Sequence, residues 1–242
     1  MAVPYPCVLV FSPGKGGVGV STVAAGLMHF ALGNVVGIDL TGTCHLPFFL
    51  DVMRPIALGS VVRQWNLMPA HVNEILKRRK PVLALDWEGR TYPDRVVELV
   101  RLLHARIPLV LDGGDDPPPG LLPLSTHLVA VVEPDVRAVD RLAAWLERQT
   151  KPSSNGLIIV ENRVEGESLL REGRWGQVVH LPLAKGDGDF GRLMRGPLGE
   201  ALQPLSARLL PTPAGRQGEG ETGRQDEREK GILRGLFRRL AS

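Results

Sequence analysis

The sequence is poor in cysteine: Cys7 and Cys44 are the only two. That excludes a disulfide framework and a closely spaced metal-ligand pair, so a reduced, cytoplasmic setting is expected. Aromatic residues make up only 5% of the chain. Trp65, Trp87, Trp145 and Trp175 are scattered with no basic stretch between them, which excludes a stacking platform for single-stranded nucleic acid. No run of about 18 apolar residues occurs, so no bilayer-spanning helix is expected, and the first residues show no basic leader with an apolar core. The six histidines show no ligand spacing. At 242 residues, 43% hydrophobic and 23% charged, the chain can bury a sizeable core as a single α/β domain.

One further absence is chemical. Gly14-Lys15-Gly16-Gly17-Val18-Gly19-Val20-Ser21-Thr22 satisfies the phosphate-loop spacing G-x-x-x-x-G-K-[ST] except at Val20, where the pattern requires lysine. Cys7 to Ser12 reads as a short apolar strand, and Ser21 to Leu32 reads as a helix rich in Ala, Leu and Met. The glycines therefore fall at a strand-to-helix turn. Backbone N–H groups there can converge on an anion, with the positive end of the helix behind them. Ser21 stands where a hydroxyl would coordinate Mg²⁺.

Strand and helix patterns alternate along the middle of the chain. Pro81 to Leu85 is a short apolar run, and Pro93 to Arg106 carries apolar residues at helical spacing. Leu109 to Asp112 is again a strand. His127 to Glu133, a helix over Val136 to Arg148, and Gly156 to Glu161 repeat the unit. The expected fold is α/β: a single doubly wound, mostly parallel sheet flanked by helices on both faces. Ligand chemistry gathers at the carboxyl ends of such strands, where Gly14, Asp39, Asp112 and Asn162 fall. Between Thr43 and Ala70, Cys44 to Leu50 reads as core packing and Val61 to Trp65 as a short helix. Asp112-Gly113-Gly114-Asp115-Asp116-Pro117-Pro118-Pro119 reads as a rigid, solvated turn.

Lys15-Gly16-Gly17-x-Gly19-x-Ser21-Thr22, with its additional lysine, resembles the deviant phosphate loop of the MinD and ParA group of P-loop ATPases. The likeness extends over roughly residues 5 to 205. It implies that Lys15 corresponds to the catalytic lysine that reaches across a nucleotide-sandwich dimer, while the lysine that contacts phosphate within its own subunit has become Val20. Val35 to Thr41 resembles the second strand and first switch, with Asp39 retained. Thr41 replaces the second aspartate, the one associated with positioning the attacking water. Pro108 to Asp112 resembles the Walker B strand, and Val131-Val132-Glu133-Pro134-Asp135 the family's strand-Pro-helix segment. Asn162 corresponds to the asparagine that reads the adenine edge, and Pro182 to the proline beside the nucleotide. The resemblance thus implies ATP or ADP held by residues 14 to 22, Asn162 and Pro182, with Mg²⁺ at Ser21, Asp39 and Asp112. The absence of a C-x-x-C pair separates the chain from the iron-sulfur-carrier branch of the superfamily.

The departures weaken chemistry more than binding. A lysine-to-phosphate bond is worth roughly 1.5 to 3 kcal/mol, so its loss costs about tenfold to a hundredfold in affinity. Hydrolysis suffers more, because positioned cations stabilise charge that grows in the transition state. Thr41 cannot replace a carboxylate in holding water. The expectation is a nucleotide-binding fold with weak or absent ATP hydrolysis.

The C-terminal part differs in composition. Residues 1–210 carry the nucleotide-binding pattern, and residues 211–228 have the Pro, Gly, Glu, Gln and Arg content of a flexible linker. In residues 229–242, Ile232, Leu233, Leu236, Phe237 and Leu240 form one helical face, with Lys230, Arg234, Arg238 and Arg239 on the rest. Such a helix suits an anionic membrane surface, and it resembles the membrane-targeting tail of MinD. This segment holds four basic groups and one acidic, a net +3 equal to that of the whole chain. The body is therefore near neutral, which disfavours a surface for DNA. One short helix binds lipid weakly, and pairing of subunits would double it.

The functional expectation is a MinD-like ATP-binding protein. It would act as a nucleotide-dependent homodimeric switch or scaffold, peripheral on the inner face of a bacterial membrane, positioning a protein partner. Two alternatives are carried: an active MinD-type ATPase that compensates for Val20, and a ParA-type DNA-segregation protein.

Overall fold

A computed structural model describes residues 5–85, 93–148, 156–164, 168, 170, 177–183 and 189–211. The linker and amphipathic helix expected over 211–228 and 229–242 lie outside the described residues, apart from Pro211. So do Trp87 and Trp175.

Eight strands form one sheet: β1 (Cys7–Phe11), β2 (Val36–Asp39), β3 (Ile56–Ala57), β4 (Val82–Ala84), β5 (Leu109–Asp112), β6 (His127–Val132), β7 (Gly156–Val164) and β8 (Gln177–Pro182). Their order is β3-β4-β2-β5-β1-β6-β7-β8, and every pairing is parallel. All five residues of β1 are buried, as are all four of β2 and of β5. A parallel strand covered on both faces needs a continuous apolar run rather than an alternating one, which Cys-Val-Leu-Val-Phe and Leu-Val-Leu supply.

Successive side chains of each strand enter different layers. Val8, Val10, Val110, Val129, Val131 and Val160 join one apolar cluster with α1 (Val20–Phe30) and α8 (Pro197–Leu209). The two helices touch at Gly26, where an added Cβ would lie 2.5 Å from Leu202 Cδ1. The Ser206 hydroxyl donates to the Leu27 carbonyl at 2.7 Å, so the contact is fixed by a buried hydrogen bond as well as by fit. On the opposite face, Phe11 meets Trp145 of α6 (Val136–Arg148), with ring centroids 4.7 Å apart. Also present is α5 (Pro93–His104), which buries Leu99 and Leu103. Among the described residues the remaining α-helices are α2 (His45–Phe49), α3 (Leu58–Arg63), α4 (Met68–Lys77) and α7 (Phe190–Met194), with short 3-10 helices at Trp65–Leu67 and Pro119–Leu124.

The stretch read as core packing divides. Leu46 is fully buried, but Phe48 is 74% exposed and Met53, just beyond it, is 88% exposed. A five-residue helix presents one apolar side inward and leaves the other outside.

Candidate functional site

The loop after β1 is built from backbone conformations that favour glycine. Gly14, Gly17 and Gly19 have φ of 68°, 77° and 97°. Gly19 is constrained twice, because a Cβ at that position would also lie 2.4 Å from Asn162 Nδ2. α1 starts from Gly19 with no side-chain cap and no acidic residue in its first turn. Its first main-chain donors are therefore left for an external acceptor. Gly16, Gly17, Gly19, Val20, Ser21 and Thr22 line a cavity of about 520 Å³. The volume falls within the range typical of small-molecule sites. Thr41, Thr43, His45 and Phe49 form another part of its wall, with Gly113 to Asp116 and Arg163 completing it.

Behind this lining lie two carboxylates, Asp39 and Asp112, paired in register on adjacent strands and both fully buried. Their surroundings differ. Asp39 Oδ1 accepts from the Thr41 amide at 2.9 Å and from the Thr41 hydroxyl at 2.6 Å, and Oδ2 accepts from the Leu46 amide at 3.1 Å. Asp39, expected at the metal, is thus the anchor of the loop from 41 to 46. Asp112 Oδ1 accepts from the Gly114 amide at 3.3 Å, whereas Oδ2 is buried with no hydrogen-bond partner among the described residues. Burial pushes the Asp112 carboxyl up to about 6; the Ser21 hydroxyl beside it pulls the other way, and the Asp39 carboxylate adds to the rise. A buried carboxylate oxygen with no donor is costly unless a cation or proton meets it. Ser21 and Asp112 therefore fit a divalent ion better than Asp39 does.

Thr41 is committed elsewhere. Its one hydroxyl proton goes to Asp39, so the 2.7 Å contact with Thr43 Oγ1 takes its proton from Thr43. Thr43 in turn must accept from His45 Nδ1 at 3.2 Å. This chain of donors ends on Asp39 and fixes the His45 tautomer with its proton on Nδ1.

Asn162 departs from its expected place. Its side chain is buried, donates to the Val18 carbonyl at 2.7 Å and accepts from the Arg163 amide at 3.0 Å. With donor and acceptor both engaged inside the chain, it braces the phosphate loop from below and is not part of the cavity wall. Pro182 ends β8 and is likewise absent from that wall. Val18 is buried, and the Gly14 amide donates to the Asp115 carbonyl at 3.3 Å, so these two shape the loop rather than line it.

Lys15 lines the cavity and its Nζ pairs with Glu133 Oε2 of its own chain. Glu133 Oε1 accepts from Arg163 at 2.7 Å. One carboxylate thus holds two cations, drawn from the ends of three neighbouring strands, β1, β6 and β7. Arg163 is not among the sequence candidates, and although Glu133 lies in the strand-Pro-helix segment and Arg163 follows Asn162, neither segment signals that the two side chains pair. Their meeting depends on strand order, which the sequence pattern leaves open.

The chain matches no family model and no curated protein. Solved structures do match its fold. A ParA-family ATPase from Chlorobium tepidum aligns at a TM-score of 0.68 with 15% identity, covering 84% of this chain and 97% of that one. The MinC:MinD cell division complex of Aquifex aeolicus aligns at 0.61 with 20% identity, over 89% and 100%. The septum site-determining protein MinD with Mg-ADP from Pyrococcus horikoshii aligns at 0.60 with 15% identity, over 85% and 96%. The single all-parallel sheet with its loop-helix site is a P-loop NTPase fold of the MinD/ParA type.

Proposed function

We propose that this chain is a MinD-like nucleotide-binding protein. It holds ATP or ADP with Mg²⁺, hydrolyses ATP weakly or not at all, and serves as a dimeric switch or scaffold for partner proteins at the inner face of a bacterial membrane. The observation that carries the reading is the uncapped start of α1 facing the 520 Å³ cavity, with an unpartnered Asp112 oxygen behind it. Main-chain donors hold phosphate, and Ser21 with Asp112 would hold the metal. Bound Mg²⁺ would neutralise phosphate charge. MinD of Pyrococcus horikoshii with Mg-ADP and the MinC:MinD complex of Aquifex aeolicus, which share the fold, support nucleotide and partner binding here.

Weak turnover follows from three side chains. Val20 offers no charge to phosphate, the Thr41 hydroxyl proton is given to Asp39, and Lys15 is paired with Glu133. Isothermal titration of the full chain with MgATP and MgADP tests the reading. Binding should be measurable, phosphate release slow, and Val20→Lys should tighten binding by about tenfold to a hundredfold. No heat at millimolar ligand for either protein would end it.

A further inference from the structure

We infer that Arg163 supplies the phosphate-contacting cation within the subunit that position 20 lacks, and that Glu133 is its holding partner. The inference rests on the nucleotide reading above. Arg163 lines the same cavity as Gly16 to Thr22. Its placement is over-determined. Asn162 ties this point of β7 to the loop through the Val18 carbonyl, and its Oδ1 takes the Arg163 amide. The β7–β8 register shifts between Glu161 and Val164. Arg163 itself has φ of 63°, a left-handed conformation uncommon for a side chain of this size. Strain of this kind is retained where the surroundings impose it, often at a ligand site. An irregularity in a strand next to a site also re-aims the side chain it carries.

The charges fit the role. Lys15 and Arg163 share one carboxylate, so the cluster keeps a net positive charge at the mouth of the phosphate loop. Asp115 and Asp116, on the same cavity wall, outweigh that single net positive charge, so an entering polyphosphate depends on close cation contact and on the main-chain donors of the loop. The Arg163 side chain is 48% exposed, which gives it room to turn from Glu133 to an entering anion. A guanidinium can present two parallel donors to phosphate oxygens, which makes it a suitable substitute for an ammonium.

Titrating the full chain with MgATP and with inorganic tripolyphosphate tests this, using wild type, Arg163→Gln, Arg163→Lys and Glu133→Gln with melting curves recorded for each. Arg163→Gln should weaken both ligands by about tenfold to a hundredfold, since both carry the phosphates. Arg163→Lys should lose less, and Glu133→Gln should tighten both by freeing the cations. If wild type binds MgATP and Arg163→Gln binds it equally well, the inference is overturned while the nucleotide reading stands. A loss confined to MgATP, sparing tripolyphosphate, also overturns it, because Arg163 would then act on base or ribose. If wild type binds neither ligand, both readings go. Should Arg163→Gln fail to fold, Glu133→Gln in a Lys15→Gln background decides, because Arg163 is then the cation it frees: tighter binding than Lys15→Gln alone supports the inference and unchanged binding overturns it.

Discussion

Asp112 is the residue whose chemistry has the most measurable consequence. Its carboxyl is raised from the ordinary 3.8 to about 6, chiefly by burial. In the unfolded chain it ionises near pH 4, so between about pH 4 and 6 the folded state binds more protons than the unfolded one. Stability therefore falls as pH rises through that window, and above it the cost is fully present, on the order of 3 kcal/mol. Asp112→Asn should raise the melting temperature at pH 7.5, with the advantage vanishing below about pH 4. Mg²⁺ should stabilise wild type and leave Asp112→Asn unmoved. Thermal melts across pH, with and without the ion, check both statements. Thr41 gives a second residue-scale prediction. Thr41→Val removes the hydroxyl donor to a buried carboxylate, and the loss should be about 1.5 to 3 kcal/mol by urea denaturation. Asp39 and Asp112 are visible in the sequence as strand-end carboxylates. Their division of labour is not, because it depends on which amides the following loops fold back to offer: Leu46 and Thr41 for one, only Gly114 for the other.

At the level of elements, the phosphate loop is braced from a distant strand. Asn162 reaches the Val18 carbonyl across 144 positions of sequence, and Gly19 leaves the space this requires. Gly19→Ala should cost about 1 to 3 kcal/mol for the backbone conformation alone, and displacing the Asn162 amide from Val18 should add to that. Chemical denaturation would show the drop, and nucleotide titration should show weaker binding in parallel. A stability loss with unaltered affinity would argue that the brace does not shape the site. The strands and long helices are legible because their apolar runs and 3.6-residue spacing are local. The short helices α2 to α4 and edge strand β3 are less so: two to six residues carry too little periodicity, apart from the ten of α4, and their packing is set by the sheet edge. The exposure of Phe48 and Met53 cannot be read from an apolar stretch alone.

For the whole molecule, strand order brings the site together. Placing β1 between β5 and β6 sets the loop beside Asp112 on one flank and Glu133 on the other. The α/β class and the carboxyl-end location follow from alternation of elements, whereas the Lys15–Glu133–Arg163 cluster requires the three-dimensional arrangement. Among the described residues, no helix is long and apolar enough to cross a membrane. The proposed membrane contact falls to residues 229–242. Vesicles containing anionic lipid should therefore pellet the full chain and leave behind a version ending at Arg228, with MgATP enhancing pelleting if nucleotide pairs subunits. Equal pelleting of the two versions would remove the membrane proposal.

The last described helix also has a mechanical meaning. Leu209 and Leu210 are buried, and Ser206 is bonded to Leu27 near the far end of the helix that begins at Val20. The C-terminal end of the described domain is thus packed against the element whose opposite end faces the cavity. Amide exchange in 197–209 should consequently slow when a ligand settles on Gly16 to Thr22, a remote echo carried along a single rod.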